Sequence, residues 1–345
     1  MRRIALALLV AVPLVGATVA AGIVSSPSKV RPCVKGYSGG LKGGPTHVDL
    51  GPDGNLWVNQ GISDKIVRFD LRTERGEEFL VPKGTELHDL ALGPDGNFWF
   101  SRFNGGVGRF DIDTHKIKIF PAKATGSQPH LWWAPDDHMY YGDFASGRLS
   151  RFDPETGKST ASRYNLPPDN GIHGFAELRD GSAWWTLQNS DQLAHFDLER
   201  QRFDKFVDMP KGSGPHWLYY SRHDNALWIA FQYANKLGRY DLETGRTRIF
   251  DLGLDPIAPA DLQARKPLAS LAFVLEDAKH EAMWLTTIAG GELIRFDLKT
   301  HEVKNVGCGL GFPAIVTTLA NDREGQMWTT EASPSGGGRL GRIQP

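Results

Sequence analysis

From about residue 44 onward, apolar and polar positions alternate in short runs, and no stretch sustains a long helical period. An apolar residue followed by an aromatic recurs as Leu56-Trp57, Phe98-Trp99, Met139-Tyr140, Ala183-Trp184, Leu227-Trp228, Met283-Trp284 and Met327-Trp328. The steps between these aromatics are 42, 41, 44, 44, 56 and 44 residues, which makes seven units. Twelve residues after most of them comes a second marker: IVRFD (66–70), VGRFD (107–111), LSRFD (149–153), LAHFD (193–197), LGRYD (237–241) and LIRFD (293–297), with LGRIQ (340–344) as a degenerate last copy. Turn-rich pieces such as GPDGN (51–55 and 93–97) and DPETGK (153–158) fall where hairpins need Gly, Asn, Asp and Pro. Each unit therefore reads as four short strands.

Units of about 40 to 45 residues with four strands each are propeller blades, which cannot bury both faces alone and so stack into a ring. The expected fold is all-β: one seven-bladed β-propeller of four-stranded blades spanning residues 30–345. The last unit ends at its third strand. The segment VRPCVKGY (30–37), ahead of the first unit, is placed to supply the missing fourth strand and close the ring from the N-terminal side.

Ahead of this domain, MRR followed by an apolar run and small residues around Ala20 and Ala21 has the pattern of a secretory signal peptide over residues 1–21, with an uncleaved anchor as the alternative. The expected location is periplasmic or secreted. In that setting the two cysteines, Cys33 and Cys308, are candidates for a disulfide stapling the ring closure, or are two separate thiols. Lys+Arg (39) and Asp+Glu (40) nearly cancel, so nothing global points to nucleic acid or to an anionic membrane surface. A small-molecule substrate or a periplasmic protein partner is the expectation.

Candidate chemistry lies in the histidines. His47, His88, His130, His173 and His216 each fall ten to twelve residues ahead of the unit aromatic, while units six and seven carry Leu268 and Ala314 by their PL and PA pairs. The first strand of a blade is innermost, so these imidazoles are expected to crowd round the central channel. Strand packing does not require histidine there, and imidazole suits Zn, Cu, Fe and Ni. The five are therefore candidate ligands of a divalent metal ion, with turn-capping histidines as the plainer reading. Trp132, Trp133, Tyr141, Trp185, Trp217, Tyr219 and Tyr220 either stack on a ligand or pack between blades. The recurrent RFD arginines and aspartates read as architectural. The insertion at 254–267 lengthens unit six and could cover the channel or touch a partner.

The G-x-P-H starts, the GPDGNLW and GPDGNFW runs and the NKLGRYD third strand (235–241) resemble the streptogramin lyase (virginiamycin B lyase) family of seven-bladed propellers, from about Gly44 to Arg342. The resemblance implies an elimination that opens an ester ring. In that family a histidine base takes a proton, and magnesium held by acidic side chains stabilises the developing charge. Carried over by position, it points to His88, His130 and Asp143 as catalytic, with Gln128 standing where the family has an acid. A second partial match joins Glu86 and His88 to His47, but has Arg102 at the later acidic position. Glu331, three residues after Trp328, has no histidine in its own unit. Arg102, Gln128 and Glu331 are thus candidate substrate-binding residues.

Three functions follow as expectations. One is an exported, metal-assisted lyase-type enzyme. The second is a non-catalytic periplasmic binding propeller. The third is an oxygenase with iron held by several histidines. The cofactor would be Mg by the resemblance, and Fe, Cu, Zn or Mn by the histidine ring.

Overall fold

The structure, a computed structural model, describes residues 34–41, 43–61, 63–121, 130–258, 270–288, 291–305, 315–332 and 337–344. The leader, Cys33, Cys308, Gln128, Leu268, Ala314 and most of the 254–267 insertion lie outside these residues. The described strands form seven antiparallel four-stranded sheets. Their inner strands, in blade order, are Pro45–Leu50, Leu87–Leu92, Leu131–Trp133, Ile172–Glu177, Pro215–Ser221, Ser270–Asp277 and Ile315–Asn321.

The ring closes as the repeat count requires. The strand Val34–Tyr37 pairs antiparallel with Gly338–Ile343, matching Val34 to Ile343 and Tyr37 to Leu340. The first described strand in chain order thereby becomes the outer strand of blade 7. Its alternate side chains serve both neighbours: Val34 packs with Trp284, Leu319 and Ile343, and Tyr37 packs with Phe69 and Trp328.

Between blades the apolar side chains gather into seven separate clusters, one for each interface. The unit aromatic sits at the boundary. Trp57 of blade 1, for example, meets Phe98 and Phe110 of blade 2 at ring-centroid distances of 5.1 and 5.6 Å. The turn and the RFD arginine hold that indole in place. In blade 1 the Asp53 carboxylate accepts the Trp57 Nε1 hydrogen bond (3.2 Å) and pairs with Arg68 Nε (2.5 Å). Blade 2 repeats this with Asp95, Trp99 and Arg109. Glycine is needed at Gly51, because a Cβ there would lie 2.4 Å from the Trp57 ring, and at Gly54, where φ is +78°.

Ring closure should be a measurable part of stability. Tyr37 is 8% exposed and its hydroxyl donates to Glu74 at 2.9 Å. Tyr37→Ala is expected to cost about 3 kcal/mol, the scale for deleting a large buried aromatic, whereas Leu80→Ala, at a position 74% exposed, should stay within about 0.5 kcal/mol. Urea unfolding of the two variants checks this, and equal midpoints would refute the role given to the closing strand.

Candidate functional site at the propeller axis

In each blade one inner-strand residue lies directly across from the unit aromatic: Asp49, Ala91, Trp132, Ala176, Tyr219, Leu275 and Ala320. Two residues earlier stand His47, Asp89, His130, Gly174, Trp217, Phe273 and Thr318. These side chains meet across the axis. The His130 ring is 4.5 Å from Trp217 and 6.2 Å from His47, Phe273 lies 5.9 Å from His47, and Trp217 stacks on Phe273 at 3.9 Å. Trp217 has room because its neighbour is Gly174, where a Cβ would sit 2.9 Å from the Trp217 ring.

The single repeat position expected for five histidines thus resolves into two. His47 and His130 belong to this axial register, and His88, His173 and His216 stand one residue before it. Six of the seven sheets shift register at this point, where an extra residue opposes the second strand. Successive residues there both turn toward the channel. The five imidazoles do come together: His88 and His173 each lie 4.9 Å from His130, and His216 lies 4.0 Å from His173. In units six and seven the axial register is held by Phe273 and Thr318, not by the residues of the PL and PA pairs.

The residue that sequence reasoning missed is Asp89. It is 4% exposed and sits between two imidazoles, with Oδ1 2.9 Å from His47 Nε2 and Oδ2 3.5 Å from His130 Nδ1. The backbone N–H groups of Leu90 and Leu131 donate to the two carboxylate oxygens at 2.8 Å each. Burial alone would favour the protonated acid. The facing His47 and His130 outweigh it and hold the carboxyl well below its ordinary range. Conversely, burial lowers the basicity of His47, and the Asp89 carboxylate more than offsets this, so its pKa stands above the usual histidine value. For His130 burial prevails over Asp89 and the pKa is lowered. Its buried Nδ1 has no aligned hydrogen-bond partner. A uniform offset of ten residues before the aromatics Trp57, Trp99 and Tyr140 picks out His47, Asp89 and His130, and that was the available signal.

The other described candidates have partners of their own. His216 Nδ1 lies 3.1 Å from the Ala272 carbonyl and His173 Nδ1 lies 3.2 Å from the His216 carbonyl. Burial, reinforced by neighbouring imidazoles, pushes the His216 pKa down to about 3 and that of His173 well below the usual value. Asp143 is buried at the end of its strand, where its carboxylate accepts bonds from Ala145 N, Ser146 N and Ser146 Oγ. It caps a turn. Arg102 donates to the carbonyls of Thr85 and Gly105. Glu331 is buried and ion-paired with Arg339. Among the aromatics, Trp132 and Trp185 are core side chains, whereas Trp217, Tyr219 and Tyr220 face the channel.

That channel widens into a cavity of about 890 Å³. His47, Asp49 and Asp89 form its wall near the axial register, with Leu90, Leu131, Trp217 and Phe273 as apolar surface. Burial raises the Asp49 carboxyl to about 6. Among the described residues, His47, Asp89 and His130 are the group whose donor atoms suit a metal ion, all lying within 4.8 Å of one another.

The virginiamycin B lyase family model matches residues 77–345. Among solved structures, a catalytically inactive virginiamycin B lyase from Staphylococcus aureus with quinupristin superposes with a TM-score of 0.74 at 17% identity, covering 90% of this chain and 99% of that one. A streptogramin B lyase gives 0.71 at 16% identity, with 90% and 96% covered. The extracellular domain of a hybrid two-component system from B. thetaiotaomicron gives 0.64 at 12% identity, with 90% of this chain and 42% of that one covered. No curated protein matches the sequence. The family match takes in all four strands of blades 2 to 6 and three of blade 7, well over half of the chain, so this chain belongs to the virginiamycin B lyase family.

Proposed function

We propose that the protein is an exported enzyme that carries out lyase-type proton abstraction on a small molecule held in the axial cavity, with His47 as base and Asp89 as its orienting carboxylate. The observation that carries this reading is the 2.9 Å contact between His47 Nε2 and Asp89 Oδ1 at the cavity wall. A buried carboxylate fixes the tautomer of an imidazole and stabilises the imidazolium formed on proton transfer. His47 Nδ1 then takes the substrate proton. The C–H electron pair forms the new double bond and the bond to the leaving oxygen breaks. The raised basicity of His47 brings its pKa toward the range useful at neutral pH. The extracellular domain among the similar folds is consistent with export.

A second reading is favoured by the buried Nδ1 of His130, which lies 3.5 Å from Asp89 Oδ2 without an aligned hydrogen bond. His47, Asp89 and His130 would then hold a divalent metal. Ligand atoms about 2.0–2.2 Å from one centre lie roughly 3–4 Å apart, and the 2.9 and 3.5 Å contacts fall near that span. Two imidazoles and one carboxylate suit zinc, iron, copper or manganese better than magnesium, whose preference is for oxygen. When bound, such an ion would supply Lewis-acid polarisation of a carbonyl. His88, 4.9 Å from His130, would then be the nearby imidazole left for proton transfer.

Two outcomes test these roles. With a cyclic depsipeptide of the quinupristin type as substrate, the base reading expects ring opening without change of mass, and His47→Ala should lower the rate at least about 100-fold. The base must be unprotonated, so kcat/KM should fall as pH drops through the raised His47 pKa, above the ordinary value of about 6.5. Asp89→Asn removes the raising charge and should move that acid limb downward. An acid limb that stays put in Asp89→Asn would remove Asp89 from the mechanism. Separately, elemental analysis of the purified protein decides the metal reading. Near-stoichiometric transition metal, lost in His130→Ala, supports it, and a protein that stays metal-free after reloading with zinc, iron and manganese eliminates it.

A further inference from the structure

The axial cavity has a floor and a mouth. In every blade its wall begins at the axial register or one residue after it, with His47, Asp89, Leu131, Phe175, Trp217, Phe273 and Leu319. Among the described residues none that precedes this register takes part, so His88, His173 and His216 all stand outside the cavity. From the register the wall follows the inner strands to their ends at Glu177 and Asn321, and passes beyond them into the hairpins at Arg222, His223 and Ala278. Glu177, Arg222, His223 and Ala278 are exposed. The five residues from Trp217 to Arg222 span roughly 16 Å of extended chain. The cavity is thus a shaft that opens on the face where the inner strands end.

Its floor is made of the axial side chains themselves. Trp217 lies on Phe273 at 3.9 Å, His130 lies 4.5 Å from Trp217, and Phe273 and His130 lie 5.9 and 6.2 Å from His47. These are contact distances between rings. On the far side of the floor Phe103 lies 4.6 Å from His88, and Phe144 lies 6.0 Å from His173. Both phenylalanines directly follow the ends of second strands, at Arg102 and Asp143. Second strands run antiparallel to inner ones, so their ends lie where the inner strands begin: Arg102 pairs with Leu87, and Glu331 with Val316. The three described acid-position candidates, Arg102, Asp143 and Glu331, therefore belong to the face opposite the mouth.

We propose that substrate reaches the base from the hairpin face, past Ala278 and Asn321, and that the Trp217–Phe273 floor keeps it from the imidazoles beyond. This rests on the reading of His47 as the base. Of the five ring histidines His47 is the one that forms part of the shaft wall, so a molecule in the shaft meets that imidazole and not His88. The deep half of the shaft, with Leu90, Leu131, Phe175 and Leu319 around His47 and Asp89, suits an apolar body that displaces water from the reacting bond. Entry from the opposite face would instead bring substrate to His88 and His173.

Diethyl pyrocarbonate, which acylates unprotonated imidazole, reports access to each histidine of the purified protein when its sites are mapped by peptide mass spectrometry. In the wild type both His47 and the exposed His223 should be labelled. The double variant Ala278→Trp, Asn321→Trp narrows the mouth, and labelling of His47 should slow severalfold while His88 keeps its rate. Ala278→Trp alone, at an exposed position, should act in the same direction and guards against poor folding of the double variant. Ala145→Trp, on an exposed turn of the opposite face, should leave His47 labelling as it is. With the depsipeptide substrate, kcat/KM should fall about tenfold or more in the mouth variant and hold in Ala145→Trp. An inert His47 in the wild type, an unchanged His47 rate in the mouth variants, or a slowed His47 in Ala145→Trp overturns the proposal. Slowing of His47 and His88 together in the mouth variants also overturns it, since the channel would then be continuous through the floor. Labelling needs no turnover, so mouth-dependent labelling of His47 in a protein without lyase activity upholds the entry face and removes the base reading alone.

Discussion

Seven inner strands share one axis, and the volume available there has to be divided among seven side chains at the same register. Gly174 gives up its share, and Trp217 crosses the vacated space to reach the His130 ring at 4.5 Å. Trp217 and Phe273, stacked at 3.9 Å, fill one side of the axis with apolar bulk. The opposite side, from blades 1 to 3, is left to His47, Asp89 and His130. A low-dielectric wall against a polar triplet strengthens every charge interaction within it. The site is therefore a consequence of ring packing, with one small residue making room for the surface that desolvates the other three.

Within that triplet the buried carboxylate is the element that needs explanation. Part of its role is architectural, since Asp89 Oδ2 accepts the Leu131 N–H and so ties blade 2 to blade 3. Asp49 reaches Leu92 of blade 2 in the same way, and Asn235 reaches Leu271 of blade 6. The last case is decisive, because it shows that an amide oxygen suffices as a tie between blades. A charged group in the same role costs several kcal/mol in desolvation unless countered. At Asp89 the countering groups are two imidazoles, and the arrangement gives His47 and His130 opposite pKa displacements from one shared neighbour. Two imidazoles of different basicity thereby flank one carboxylate.

The blades, their number and the ring-closing strand were legible in the sequence because each rests on a period: alternation within a strand, and a marker every forty-odd residues. The RFD arginines were legible for the same reason, since Arg68 and Arg109 repeat one contact to a turn aspartate. The site was legible only as a neighbourhood. Aligning on histidine itself mixed two adjacent positions, since the bulge in the inner strand brings both to the channel and hides the slip. It also concealed Asp89, which looked like the residue after a histidine and is the structural equivalent of one.

The departures from the family pattern acquire a physical sense in this light. Where the resemblance implies acids at the later position of a unit, this chain has Arg102 bonded to two loop carbonyls and Glu331 bonded to Arg339. Asp143 is likewise occupied by its own turn. Glu331 nonetheless keeps its second carboxylate oxygen, Oε1, buried without a hydrogen-bond partner. A further carboxylate, Asp89, stands in the axial register of blade 2, one residue beyond His88. A carboxylate there serves histidines from blades 1 and 3 at once. A carboxylate on the axis itself favours a substrate that enters the channel over one that lies across its mouth.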